Sequence, residues 1–214
     1  MKLYDYFRSS AAFRVRIALN LKGLAPERSF VHLRKGDQHA DEYLALNPQG
    51  LVPSLVTDAG EVLTQSLAIL EWLDETYPHP PLLPADAGGR ARVRAIALSI
   101  ACDIHPIDNL RVLNYLTGTL GVSEEQRKGW YKYWIDVGLE ALETRLARES
   151  VTGTFCHGDA PTIADVCLVP QLANARRIAF DFTPFPTLTR IEAACLALPA
   201  FADAAPAKQP DAEK

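Results

Sequence analysis

Four prolines crowd the segment Tyr77-Pro78-His79-Pro80-Pro81-Leu82-Leu83-Pro84, and no regular helix or sheet strand can run through it. It divides the chain into two parts that read differently. Before it, short β-rich runs alternate with helical ones. Lys2 to Tyr6 reads as a strand, and Phe13, Ile17, Leu19 and Leu21 recur at roughly helical spacing after it until Gly23 ends the helix. Arg28 to Leu33 reads as a second strand, Ala40 to Leu46 as a short helix, and Leu51 to Val56 as a strand entered through the turn Asn47-Pro48-Gln49-Gly50. Asp58-Ala59-Gly60-Glu61 is a hairpin turn to Val62-Leu63, and an apolar helix follows from Leu67 to Leu73. The order β-α-β-α-β-β-α makes residues 1–80 an α/β domain.

Beyond the prolines the pattern is helical throughout, so residues 88–214 are expected to form an all-α domain. Arg90 to Leu120 reads as one long helix bent or broken near His105-Pro106, and Ser123 caps a second that runs to Arg148. Pro161-Thr162-Ile163-Ala164-Asp165 opens a third, with a hydroxyl at the cap and a carboxylate three residues on, and Leu188 to Leu198 is a fourth. The tail from Asp203 to Lys214, rich in Ala, Pro and charge, is expected to fray.

A formal net charge of -4 argues against a nucleic-acid binder that works through overall charge. No apolar run approaches the roughly 20 residues that span a bilayer, and the amino terminus lacks the layout of a signal peptide. The four cysteines, Cys102, Cys156, Cys167 and Cys195, form no C-x-x-C pair and offer no zinc site. These features are those of a cytoplasmic protein with free thiols and no metal.

Ser9 and Ser10 fall where the first strand ends and the first helix begins. Unpaired backbone N–H groups and the helix dipole favour an anion there: a carboxylate, a phosphate or a thiolate. Gln65-Ser66 opens another helix and offers the same chemistry. Pro53 lies just ahead of a strand, where a minority of X-Pro bonds are cis; a cis bond would leave the Val52 N–H and C=O outward, able to pair with an extended peptide.

The Tyr-x-x-x-Arg-Ser-Ser opening, Arg14-Val15-Arg16-Ile17-Ala18-Leu19, Asn47-Pro48, Val52-Pro53, Gln65-Ser66 and Pro161-Thr162-Ile163-Ala164-Asp165 together resemble the zeta-class glutathione S-transferases, over nearly the whole chain. The resemblance implies a thioredoxin-like amino domain that binds glutathione, a cis Pro53, a helical domain that serves the second substrate, and a homodimer. In one respect the sequence departs from the family: Ala11 stands where the family usually has Cys, and Phe13 where it has Trp. Activation by serine is untouched by either change.

The activity implied is isomerisation of maleylacetoacetate to fumarylacetoacetate in tyrosine and phenylalanine catabolism. The thiolate adds to the cis double bond, the bond rotates, and elimination returns glutathione. The neighbouring possibilities are maleylpyruvate isomerisation in gentisate or salicylate breakdown, transfer or dehalogenation of α-haloacids, and a non-catalytic thioredoxin-like binding module. Ser9, with Ser10 beside it, is the expected hydroxyl donor to the thiolate, joined by the Ala11 N–H. Gln65 and Ser66 take the γ-glutamyl end, Val52 and Pro53 the cysteinyl backbone, and His39 and Gln49 the glycyl end. Asp103 and Asn109 are further candidates for glutathione contact. Arg8, Arg111 and Arg177 are the candidate clamps for a small dicarboxylate substrate, because a guanidinium grips carboxylates bidentately.

Overall fold

In a computed structural model, which describes residues 1–213, the chain divides into two compact units. The first takes in Met1–Leu82 and the segment from Leu196 onward; the second is Leu83–Cys195. Among the described residues no helix is long and apolar enough to cross a membrane.

The first unit is built on a four-stranded sheet, ordered β2-β1-β3-β4. Strand β1 (Lys2–Asp5) runs parallel to β2 (Glu27–Phe30), and the crossover between them is helix α1 (Ser10–Leu21). Short helix α2 (Asp41–Leu46) then leads to β3 (Ser54–Val56), which pairs antiparallel with β1 and with β4 (Val62–Thr64). Helix α3 (Ser66–Thr76) closes the unit. Leu3, Val15, Ile17, Leu55, Ile69 and Leu70 are all fully buried, so the sheet face and one face each of α1 and α3 form a single core. Gly50 makes the turn into β3 at φ +60, and a Cβ there would meet the Gln38 carbonyl oxygen at 3.1 Å.

The second unit is helical. Helix α4 (Ala87–Leu98) passes without a break into a π-helical turn, Ser99–Ile104, and the chain then breaks around Pro106 before α5 (Leu110–Gly118). Helix α6 (Glu124–Arg148) starts on a full capping box: Gln126 N–H donates to Ser123 Oγ at 3.2 Å and Ser123 N–H to Gln126 Oε1 at 2.8 Å. At the head of α7 (Ile163–Arg176), the buried Asp165 carboxylate accepts from the Thr162 N–H, the Thr162 hydroxyl and the Cys156 N–H. Helix α8 (Pro186–Leu196) follows.

By contacts the segment from Leu196 onward groups with the first unit, where the sequence reads as one helical domain over 88–214. One expectation is corrected. The tail does not fray over its described residues, 203–213: Asp211 Oδ2 accepts the Phe7 N–H at 2.9 Å and Gln209 Oε1 accepts from Arg28 Nη1 at 2.8 Å. Helix α9 (Pro199–Ala202) buries Phe201 completely, and Asn20 Nδ2 donates to the Ala200 carbonyl at 2.9 Å. A second cis peptide, His79–Pro80, occurs in the proline-rich segment.

Candidate functional site

The chain leaves β1 at Asp5, turns through Tyr6-Phe7-Arg8, and enters α1 at Ser10 with Ser9 as its N-cap. Ser9 Oγ accepts from the Ala12 N–H at 3.2 Å, and the Ser9 carbonyl accepts from the Phe13 N–H at 2.9 Å. Capping thus uses the oxygen of the Ser9 hydroxyl as an acceptor and leaves its proton available for donation. Among the described residues the N–H groups of Ser10 and Ala11 have no intrachain partner, as expected for a first helical turn. Ser10 is buried, Ser9 half-buried. Beside them the half-buried Arg8 makes no hydrogen bond or ion pair among the described residues.

Two more features lie in the same unit. The Val52–Pro53 peptide is cis, and the backbone N–H and C=O of Val52 have no intrachain hydrogen bond among the described residues. Gln65 caps α3 at φ 66, a conformation rare for a residue with a Cβ, and its side-chain amide donates to Gln49 Oε1 at 2.8 Å. Ser66 is the first residue of that helix, and its hydroxyl accepts from Arg14 Nη1 at 3.1 Å. Arg14 is 1% exposed, so a buried guanidinium adds its charge to the helix dipole at this end. Nothing but its place in the Arg14-Val15-Arg16 motif marked Arg14 in advance. His39 is exposed in a 3-10 turn, Asp37–His39, with its ring nitrogen 3.5 Å from where a Cβ on Gly50 would sit.

The remaining candidates belong to the second unit. Asp103 is exposed on the π-helical turn. Asn109 caps α5, its side chain accepting from the Arg111 N–H at 3.0 Å, and Arg111 is exposed on the first turn. The pair at the end of α7 separates into two roles. Arg176 is held by Glu192, with Nε donating to Oε1 at 3.2 Å, and stacks on the Phe182 ring at 4.5 Å. Arg177 is exposed and donates to Asn174 Oδ1 at 3.3 Å.

Two residues that the sequence did not single out are electrostatically unusual. Asp108 is buried with neither carboxylate oxygen hydrogen-bonded among the described residues, and burial pushes its pKa up to about 7. The Tyr131 phenol is pushed up to about 12, first by burial and then by the nearby Asp108 charge. An Asp beside a half-buried Asn in a helix break carries no sequence signal of burial. A surface depression along α6, lined by Val137, Glu140 and Glu149 among others, contains none of the candidates. No cluster of three or more metal-ligating side chains occurs among the described residues.

A βαβ unit and a ββα unit sharing one sheet, joined to a helical unit, make a thioredoxin-like protein of the glutathione transferase type. Residues 8–76 match the family model described as "Glutathione S-transferase, N-terminal domain", and residues 135–206 match "Glutathione S-transferase, C-terminal domain". The chain belongs to the glutathione S-transferase family, in its zeta class. It is 53% identical over 212 residues to the protein of Vibrio cholerae serotype O1 named "Probable maleylacetoacetate isomerase", covering 98% of this chain and 97% of that one. The holo structure of a maleylpyruvate isomerase, described as a bacterial zeta-class glutathione S-transferase, superposes with a TM-score of 0.97 at 51% identity and full coverage of both chains. The maleylacetoacetate isomerase of Methylobacterium extorquens AM1, solved with malonate and GSH bound, gives the same TM-score at 46% identity, again over both full chains.

Proposed function

We propose that the protein is a glutathione-dependent cis-trans isomerase of maleylacetoacetate, in the cytoplasm and as a homodimer. The observation that carries the reading is the Ser9 hydroxyl: its oxygen is committed to the Ala12 N–H while its proton is not, at a helix start with two unpaired N–H groups.

The residues of the first unit fit glutathione along its length. The N-terminus of α3, with Ser66 and the buried Arg14, suits the α-carboxylate of the γ-glutamyl end. The unpaired backbone of Val52 suits the cysteinyl peptide. Ser9, Ser10 and the Ala11 N–H suit a thiolate, and the contact between Gln49 and Gln65 ties the glycyl and γ-glutamyl sides together. Bound there, glutathione supplies a thiolate that adds to the cis double bond of an enone, frees it to rotate, and departs from the trans product.

This chain supplies the electrostatics. A free thiol titrates near 8.5, so the Ser9 hydroxyl and the positive end of α1 are needed to hold the ionised form at neutral pH. Arg8 grips a substrate carboxylate next to the serines and stabilises the negative charge that develops on the keto oxygen. Arg177 and Arg111, both exposed, are the carboxylate-binding side chains of the second unit, while Arg176 is already committed to Glu192. A dicarboxylate substrate agrees with the Methylobacterium relative, solved with both malonate and GSH bound. Ala11 removes any role for a cysteine at that position.

Maleylpyruvate remains the second reading because the 51% identical relative is named for it. Glutathione-dependent isomerisation of the two substrates, followed by absorbance side by side, decides between them: faster turnover of maleylacetoacetate supports the first reading. Turnover of neither would end both.

A further inference from the structure

The tail of the chain is wound onto the loop that presents Ser9. Asp211 Oδ2 accepts the Phe7 N–H at 2.9 Å, a contact between residues 204 apart in sequence. Arg16, 3% exposed, donates Nε to the Ala204 carbonyl at 3.0 Å and Nη2 to the Phe7 carbonyl at 3.1 Å. Arg28 bridges Gln209 Oε1, at 2.8 Å, to the buried Asp5 carboxylate, and Asp5 in turn accepts the Tyr6 N–H at 2.7 Å. Ala212 packs on the apolar cluster that contains Tyr6, Phe7 and Val52. Glu213 closes the end of the strap on His32 and Arg34, at 3.0 Å and 3.3 Å.

Of the backbone groups of Tyr6 and Phe7, immediately ahead of Arg8 and Ser9, the Tyr6 carbonyl accepts the Ser9 N–H at 2.9 Å, while the other three are met by charged side chains, and among the described residues the Phe7 N–H depends on the tail alone. Gln209 stiffens the strap internally, donating to the Asp203 and Ala205 carbonyls at 3.0 Å and 2.8 Å. A fraying tail needs none of these bonds.

We infer that residues 203–213 form a strap that sets the position of the Ser9 hydroxyl, with Asp211 as a positioning residue for the isomerisation. The inference rests on the glutathione reading of Ser9. Without the Phe7 tether the turn at Tyr6–Arg8 relaxes, and a hydroxyl donor displaced by a fraction of an ångström holds a thiolate less well. The backbone groups of Val52 and the start of α3 make no hydrogen bond to Asp211, so the loss falls on the ionised thiol and not on binding of the protonated form.

The test compares the parent protein with Asp211→Ala and Asp211→Asn. The Asn side-chain oxygen still accepts the Phe7 N–H, so Asp211→Asn is the rescue. Three quantities are read: the pH titration of the thiolate absorbance of bound glutathione, kcat/KM, and amide exchange at Phe7 and Ser9 in protein without glutathione. Asp211→Ala is expected to shift the thiol titration upward and to lower kcat/KM by about five- to tenfold, with exchange at Phe7 faster by a similar factor. Its affinity for glutathione at low pH, where the bound thiol is protonated, and its thermal midpoint stay close to the parent's, and Asp211→Asn restores the titration. An unchanged thiol titration in a folded Asp211→Ala protein overturns the inference, as does loss of function in Asp211→Asn equal to that in Asp211→Ala. Failure of the parent itself to hold glutathione as a thiolate would overturn the glutathione reading instead, and amide exchange would still report whether the strap tethers the loop.

Discussion

Asp108→Asn is expected to stabilise the protein at pH 8 and to leave it unchanged at pH 4. Asp108 is buried with both oxygens unpartnered among the described residues, and its pKa rises from 3.8 to about 7 through burial alone. In the unfolded chain the same group ionises near 3.9. Below that value both states are protonated and the site costs nothing. As the pH climbs from 4 to 7 the unfolded chain gives up its proton while the folded one keeps it, so stability drains away across that window and stays lost above it. A rise of about three pKa units, at roughly 1.36 kcal/mol each, caps the loss near 4 kcal/mol, and relaxation around the carboxyl brings the expectation to about 2–4 kcal/mol. Asparagine keeps the shape and cannot ionise. Urea unfolding followed by tryptophan fluorescence reads the change well, because Trp130 Nε1 donates to the Ile107 carbonyl at 3.1 Å, next to Asp108. The variant-minus-parent gap should open by about 2–4 kcal/mol between pH 4 and pH 8. A gap of the same size at both pH values would refute the reasoning.

Arg177→Ala should weaken use of a dicarboxylate substrate by about tenfold or more while glutathione affinity stays within about twofold; equal losses would remove Arg177 from the clamp. Arg176→Ala should instead lower the unfolding midpoint, because it strands the 4%-exposed Glu192 without its partner. Alkylation at neutral pH should modify Cys102 alone in the folded protein, which mass spectrometry reads directly: the other three thiols are buried, and burial pushes Cys156 and Cys195 well up.

The first unit was largely legible because its signals are local. A strand followed by two serines and a helical run requires a helix start at that point, and the N-cap is Ser9. Asn47-Pro48-Gln49-Gly50 and Asp58-Ala59-Gly60-Glu61 each specify a turn by residue type, and both turns form. What escaped is what depends on distant partners. The tail from Asp203 has the composition of a frayed end, and the groups that hold it, the Phe7 N–H, Arg16, Arg28, His32 and Arg34, lie far back in the chain. Asp108 escaped for the same reason: its burial comes from neighbours, not from sequence context. The run from Arg90 to Leu120 was legible as a broken helix through Pro106, but the π-helical turn before the break has no residue signature.

The central claim is that Ser9 holds glutathione as a thiolate in the reaction. Its most direct test is glutathione-dependent turnover of maleylacetoacetate by Ser9→Ala. Loss of the hydroxyl donor should cut turnover by well over tenfold while glutathione still binds, since removal of one oxyanion-type donor costs about 100-fold or more in comparable sites. Turnover near that of the parent protein would contradict the assignment of Ser9 and shift thiolate activation to the helix N-terminus alone.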